Sequence, residues 1–219
     1  TQGCSVMSTT LSILYLSFNE EDIFGQSLES VHSIADEIVV VDSGSSDSTV
    51  QIAERAGADV YHRPLKNWGE QRNWGLEKCK HSWVLVVDCD EVFTDELIES
   101  LKEWKQSEHN EQLPYSFKRV HFFKGKRMNF SGLQNNYVVR LLPKGVKYEE
   151  LNVHEKVRSS SKRLKGNMLH YTYKNAVHWE QKFRTYAKRQ ALDYEKKVGR
   201  IGPYYLNVKP SWRFFKHYI

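Results

Sequence analysis

The first hundred residues alternate short apolar runs with polar, turn-forming stretches, and the period of each run predicts its element. Leu11 to Phe18 is apolar and rich in strand formers, and the acidic cluster Asn19-Glu20-Glu21-Asp22 behind it suits the first turn of a helix reaching about Ile34. Glu37 to Asp42 is a nearly continuous apolar run, the pattern of a parallel strand covered on both faces, and it closes on Asp42-Ser43-Gly44-Ser45-Ser46-Asp47. A helix is expected from Ser48 to Ala56, with Gly57 as its stop and Asp59 to His62 as a third strand. Gly69 to Cys79 has helical spacing, and Trp83 to Val87 predicts a fourth buried strand that ends at Asp88-Cys89-Asp90-Glu91. The order is βαβαβ. In open parallel sheets ligands bind beyond the carboxyl ends of the strands, so these polar loops are expected to converge on one site.

Each loop also has a plainer reading. A Ser/Gly-rich loop with two aspartates after a strand serves as a turn and N-cap. No G-x-x-x-x-G-K-[ST] and no G-x-G-x-x-G occurs in the chain, which disfavours P-loop and Rossmann cofactor binding. The triplet Asp88, Asp90 and Glu91 is harder to explain by turn chemistry. Carboxylates so close at the end of an apolar strand repel one another, and a hard divalent cation or a set of donors must offset that repulsion. Such triplets also occur in phosphatases and polymerases, so a metal-dependent phosphatase or nucleotidyltransferase built on Asp88 and Asp90 is one reading.

The second half of the chain has a different character, hidden by the mild net charge of +5. Residues 1 to 110 carry 8 Lys/Arg against 20 Asp/Glu, whereas residues 111 to 219 carry 24 against 7 and hold 19 of the 28 aromatic residues. Val120-His121-Phe122-Phe123-Lys124-Gly125-Lys126-Arg127 predicts a strand and turn edged with cations. From Asn175 to about Lys197, Trp179, Phe183, Tyr186, Ala187 and Gln190 fall near one helical face with cations around it. Such a stripe packs on its own domain in most proteins, while clustered Arg, Lys and aromatics also suit phosphorylated sugars and membrane headgroups. Clustered Lys/Arg among Tyr and Phe describes nucleic-acid surfaces too, although that reading leaves the acidic half unexplained.

With 40% hydrophobic and 27% charged residues, the 219-residue chain is a globular protein and not a disordered one. No apolar run approaches membrane-spanning length, and Thr1 to Thr10 lacks the basic and apolar regions of a secretory signal. Met7 reads as a natural start. Cys4, Cys79 and Cys89 have no metal-type spacing and read as reduced thiols of a cytosolic protein.

Taken in order, Leu16-Ser17-Phe18-Asn19-Glu20-Glu21, Val40-Val41-Asp42-Ser43-Gly44-Ser45-Ser46-Asp47-Ser48-Thr49, Gly69-Glu70-Gln71-Arg72-Asn73-Trp74-Gly75-Leu76 and Trp83 to Glu91 resemble the nucleotide-sugar domain of family 2 glycosyltransferases. Arg140-Leu141-Leu142-Pro143-Lys144-Gly145, Val153-His154-Glu155 and Leu169-His170-Tyr171-Thr172-Tyr173 resemble the bacterial branch that contains lipopolysaccharide inner-core β-1,4-glucosyltransferases. The resemblance implies an α/β fold of the GT-A type with a mainly helical, basic C-terminal extension. The expected division is a flexible N-terminus (1–10), a nucleotide-sugar-binding half (11–110), an acceptor-side half (111–174) and a basic amphipathic helical extension (175–219). The resembled enzymes continue with a further amphipathic segment, so the abrupt apolar and basic ending suggests truncation or a tail packed on a partner.

The resemblance also implies an inverting transfer of a hexose, glucose before others, from a UDP-sugar to an inner-core heptose, with Mg²⁺ or Mn²⁺ as cofactor. Another surface polysaccharide or a peptide is the alternative acceptor. Ser17, Asn19 and Glu20 would contact the nucleoside, and Asp42 would accept the uracil imide hydrogen over a backbone turn at Ser43 and Gly44. Arg72 would meet the diphosphate, Asn73 would fix its loop, and Asp88 would lie near the ribose and donor sugar. Asp90 would ligate the metal, joined by His154 unless that residue is an ordinary core histidine, while Cys89 would point away. The catalytic base would be Glu155, beside His154, with Glu91 as fallback. The enzyme would work in the cytoplasm, peripheral on the inner face of the bacterial inner membrane, where it meets a lipid-linked phosphorylated saccharide.

Overall fold

A computed structural model describes residues 8–109, 112–129, 136–149, 159–173 and 202–218, with a few isolated positions between them. Parallel strands β1 (Leu11–Ser17), β2 (Glu37–Asp42), β3 (Asp59–His62) and β4 (Trp83–Asp88) form one side of a nine-stranded sheet. Helices α1 (Glu21–Val31), α2 (Thr49–Arg55) and α3 (Trp68–Lys78) connect them. β5 (Glu91–Phe93) and α4 (Asp95–Lys105) follow, then β6 (Tyr115–Phe123), β7 (Lys126–Arg127), β8 (Tyr137–Pro143) and β9 (Lys162–Tyr173). The strand order is β3-β2-β1-β4-β8-β6-β9-β5, with β7 paired to β6. β8 joins β4 in antiparallel fashion, so the sheet continues from the acidic half of the chain into the basic half.

Period-two alternation within the central strands supplies a core on each face of the sheet. Leu11, Ile13 and Tyr15 of β1 pack with Phe24, Leu28, Val40, Leu85 and Leu97 on the face covered by α1 and α4. Leu14 and Leu16 point the other way, to Val39, Val41, Val84 and Val86 beneath α3. Helix α3 lies so close to the sheet that a Cβ on Gly75 would come within 2.7 Å of Leu14 and 3.2 Å of Val41. Little else about α3 is amphipathic. Its buried residues include Gln71, Arg72 and Asn73, a polar set that a purely structural helix would leave in water.

The sequence-based boundaries of β2 and β3 coincide with the observed ones, and the α1, α2 and α3 boundaries agree to within a turn. The chain leaves α1 through a short 3-10 turn at His32–Ile34. The cation-edged segment after Val120 is the end of β6, a turn at Lys124 and Gly125, and β7. The expected helical stripe between Asn175 and Lys197 lies outside the described residues, apart from isolated positions such as Glu180 and Arg184, which form an ion pair.

Candidate active site

The ends of β1, β2 and β4 lie within one residue of one another, because Ser17 pairs with Asp42 and Leu16 with Asp88 across the parallel ladders. Their terminal residues therefore cluster at one end of the sheet, with Asp42 on the Val40 face and Asp88 on the Val86 face beneath α3. Asp42 is fully buried and accepts hydrogen bonds from the Ser17 hydroxyl (2.9 Å), the Ser45 hydroxyl (2.5 Å) and the backbone N–H groups of Gly44 and Ser45 (both 2.9 Å). Burial works against its charge, but the Ser45, Gly44 and Ser17 donors outweigh burial and hold the carboxyl below its usual range. A carboxylate has about four lone-pair sites, so these donors fill it.

The loop thus anchored is laced to the one after β1. Asn19, in the left-handed region with φ 54°, donates its N–H to Ser45 and accepts from the Ser46 N–H through its side chain. The Glu20 N–H donates to Thr49, and the Ser43 N–H donates to the Ser17 carbonyl. Gly44 sits at φ 100° with open space where a Cβ would project, leaving a bare backbone edge facing outward. From α3, Gln71 reaches the Ser43 hydroxyl at 3.4 Å and the Arg63 carbonyl at 2.9 Å.

Asp88 is neutralised in another way. Arg72 of α3 donates to one oxygen at 2.7 Å and Arg140 of β8 to the other. Burial alone would raise its pKa, yet Arg140 and Arg72 hold the carboxyl far below the usual range. Arg140 also donates to Glu91 at 2.6 Å, and Arg119 of β6 approaches the same Glu91 oxygen at 3.4 Å. The other Glu91 oxygen accepts the Asp88 N–H at 3.0 Å. Burial opposes the charge of Arg140 as well, and the flanking Asp88 and Glu91 keep it firmly protonated. Nearby, Asn73 exchanges two hydrogen bonds with the backbone of Tyr148, whose ring lies under the Arg72 guanidinium at 5.4 Å.

Asp90 turns away from this arginine cluster. The Tyr171 N–H donates to its carbonyl, β5 pairs Glu91 with His170 of β9, and the His170 Nε2 comes to rest 3.3 Å from the Asp90 carboxylate. Behind it stand His121, with its Nδ1 3.1 Å from the His170 Nδ1, and Asn136, 2.9 Å from the His121 Nε2. Burial, His170 and Arg119 lower the His121 pKa to about 4, so it is neutral near pH 7. Cys89 faces the core, donating to the Leu16 carbonyl at 3.3 Å. Burial and then Glu20, Asp90, Asp88 and Asp42 push its pKa far up, a direct reading of how many carboxylates surround this edge of the sheet.

The structure therefore gathers Ser17, Asn19, Glu20, Asp42, Ser43, Gly44, Arg72, Asn73, Asp88, Asp90 and Glu91 at one end of the sheet. Glu91 is wholly enclosed, with both oxygens engaged by Arg140, Arg119 and the Asp88 N–H, a setting unlike that of an accessible proton acceptor. His154 and Glu155 lie outside the described residues. Two residues that sequence reasoning left without roles stand in the site, Arg140 and His170. Arg140 had a signal: a lone cation in the apolar run Tyr137–Pro143 must find a buried acid. His170 had none, because only the β5–β9 register brings it to Asp90.

A divalent cation has a chemically suitable place here. The Asp90 carboxylate and His170 imidazole supply one hard oxygen and one nitrogen donor, with side chains only 13% and 12% exposed, and such pairs suit Mg²⁺ or Mn²⁺ when substrate oxygens complete the shell. Among the described residues no group of three or more His, Cys, Asp and Glu side chains forms a closed metal cage.

Several glycosyltransferases are similar to this chain in sequence. An uncharacterized glycosyltransferase of Rickettsia typhi is 27% identical over 223 aligned residues, covering 95% of this chain and 76% of the relative. The lipopolysaccharide core biosynthesis glycosyltransferase LpsC of Rhizobium meliloti is 35% identical over 98 residues, covering 42% of this chain and 36% of its own. Among solved structures, glucosyl-3-phosphoglycerate synthase from Mycobacterium tuberculosis, in complex with Mn²⁺, UDP and glucosyl-3-phosphoglycerate, has 24% identity and a TM-score of 0.40 over 52% of this chain and 44% of that one. The family description "Glycosyl transferase family 2" matches residues 12–129, which contain all of β1 but its first residue, β2 through β7 and every described carboxylate of the site, and the chain, with its GT-A-like nucleotide-sugar transferase fold, belongs to glycosyltransferase family 2.

Proposed function

We propose that this enzyme is an inverting, metal-dependent hexosyltransferase that moves glucose from UDP-glucose to a heptose of a lipopolysaccharide inner core, at the cytoplasmic face of the inner membrane. The observation that carries the reading is the row of carboxylates Asp42, Asp88 and Asp90 at and just beyond the ends of β2 and β4, with Arg72 and Arg140 both paired to Asp88. That row offers an acceptor for a nucleobase N–H, cations for a diphosphate and a donor pair for a divalent metal. The motifs of the second half and the likeness to a lipopolysaccharide core glycosyltransferase support the acceptor class.

In this reading Ser17, Asn19 and the Ser43–Ser46 loop form the nucleoside pocket, with Glu20 at its rim. Asp42 accepts the uracil imide hydrogen after the Ser45 hydroxyl turns aside, since its lone pairs are otherwise filled. Arg72 and Arg140 hold Asp88 ionised and in place beside the ribose and donor sugar. Asp90 and His170 would hold Mg²⁺ or Mn²⁺, and a cation there would offset the charge gathering on the departing diphosphate. Glu155 takes the acceptor hydroxyl proton as that oxygen attacks the anomeric carbon. Glu91, enclosed by arginines, serves to position Arg140 and Arg119 instead.

Two measurements test the proposal. UDP should raise the melting temperature far more with Mn²⁺ than without it, and Asp90→Asn should remove the metal-dependent part. Offered UDP-glucose, UDP-galactose, UDP-N-acetylglucosamine and ADP-heptose with a heptose-containing core acceptor, the enzyme should turn over UDP-glucose fastest and release UDP only when acceptor is present. Metal-independent protection, or UDP release without acceptor at the same rate, would sink the reading.

A further inference from the structure

Near its C-terminus the chain forms a π-type turn, Tyr204–Val208, followed by helix α5 (Lys209–Tyr218). Nothing in residues 202–215 is buried. Trp212 is 70% exposed, Leu206 65%, Tyr204 58%, and Val208 and Phe215 55% each, whereas the strands and helices of the GT-A core keep nearly all their large apolar side chains covered. Among the described elements, the main packing partner of α5 is the π-type turn itself.

Helical spacing sorts the side chains of α5. Trp212 and Phe215, three residues apart, share one face, with Phe214 at its border. Lys209 and Arg213, four apart, share the adjoining face, with Trp212, three residues from Lys209, at the border between the two. The sequence from residue 196 to 219 holds six Lys/Arg and no Asp/Glu. Exposed aromatics and aliphatics beside a strip of cations match the interface of an anionic bilayer, where rings and aliphatic chains enter the acyl boundary and cations meet headgroup phosphates. Leu206, Val208 and Phe215 argue for lipid over nucleic acid, whose surface offers such aliphatic groups little to bury against. No helix among the described residues is long and apolar enough to cross a membrane.

We propose that residues Tyr204–Tyr218 form an interfacial anchor that lays the Trp212/Phe215 face of α5 into the surface of an anionic phospholipid membrane. This deepens the proposed membrane-side location of the enzyme. Its test reads lipid retention and not sugar transfer, so the anchor and the transferase reading can fail separately.

The experiment is co-sedimentation of the whole protein with phosphatidylcholine vesicles and with vesicles of phosphatidylcholine and phosphatidylglycerol, at low and high salt. Retention is expected on the anionic vesicles and reduced by salt. Lys209→Glu and Arg213→Glu should each weaken retention about fivefold or more. Trp212→Ser with Phe215→Ser should weaken it about tenfold or more, with an unchanged melting temperature, because exposed side chains contribute little to the fold. Equal retention on both vesicle types, or none on either, would overturn the proposal. A fall in melting temperature in the Ser/Ser variant would mean that the segment covers its own protein, and vesicle-independent self-association lost in that variant would mean a second copy. Retention on a single-stranded oligonucleotide in place of vesicles would also overturn it.

Discussion

Asp42 and Asp88 end the two strands that flank β1, both are held ionised, and the protein achieves this by two unlike means. Asp42 takes its hydrogen bonds from neutral donors, two hydroxyls and two backbone N–H groups, supplied within its own loop and by Ser17, while the exposed His62 ring stands 3.6 Å away. Asp88 has two arginines drawn from α3 and β8, and shares Arg140 with the fully buried Glu91. The first arrangement is local and replaceable by a ligand. The second ties distant elements together and has no inexpensive way to lose a member, since each buried charge is balanced only by the others. The Asp42 loop can therefore remodel around a ligand, while the floor at Asp88 stays fixed.

The sharpest way to break this contrast is to remove Arg140. Arg140→Met leaves Asp88 and Glu91 facing each other with Arg72 and Arg119 alone, and should destabilise the protein by about 3–5 kcal/mol in denaturant unfolding. Adding Glu91→Gln should recover part of that loss, because the double variant no longer buries an unbalanced carboxylate. If Arg140→Met costs no more than a surface substitution, the fixed-floor account is wrong.

Next in size is Asp42→Ala, which strands the Gly44 and Ser45 N–H groups and two hydroxyls and should cost about 1–3 kcal/mol. It should also abolish UDP protection, whereas Arg140→Met paired with Glu91→Gln should weaken UDP binding without erasing it. The reverse ranking of nucleotide affinities would place the nucleobase at the arginine cluster.

How far this was legible from the sequence follows the same division. Loops such as Asp42–Asp47 announce themselves because donors and acceptor are neighbours in the chain, and β2 and β3 are apolar runs with clear ends. The arginine floor depends on β8 joining β4, nearly sixty residues away in the chain, and on β6 joining β8 from some twenty residues away, pairings that no local period encodes. The repulsion expected among Asp88, Asp90 and Glu91 is met largely by arginines, with Asp90 alone directed to a histidine. That split follows from the brief β5 strand, Glu91–Phe93, whose pairing with β9 turns successive side chains to different neighbours.

A smaller effect comes from pH. The folded Asp42 carboxyl titrates below its unfolded value, so its contribution to stability is fully present above the ordinary carboxylate range and is lost as pH falls through the folded pKa. Asp88, held lower still, contributes in the same direction and gives way at more acid pH. Acid unfolding should therefore begin with loss of UDP protection at the Asp42 loop, before the sheet itself melts. Asp42→Asn should flatten the earlier limb and leave the later one, read by nucleotide-dependent and nucleotide-free melting temperatures across the acid range.

The smallest expected effect on stability, from Ser45→Ala, separates two roles for Asp42. The variant loses one hydrogen bond, about 0.5–1.5 kcal/mol, and leaves the remaining three donors in place. It also vacates one acceptor position on a carboxylate that is otherwise full. If Asp42 takes the uracil imide hydrogen directly, that vacancy removes the need for the hydroxyl to turn aside, so UDP should bind at least as tightly as before. CDP, which offers no imide hydrogen, should gain nothing, and the UDP:CDP preference measured by thermal shift or calorimetry should hold or widen. A narrowed preference would mean that Asp42 only shapes the loop and that Ser45 itself reads the base.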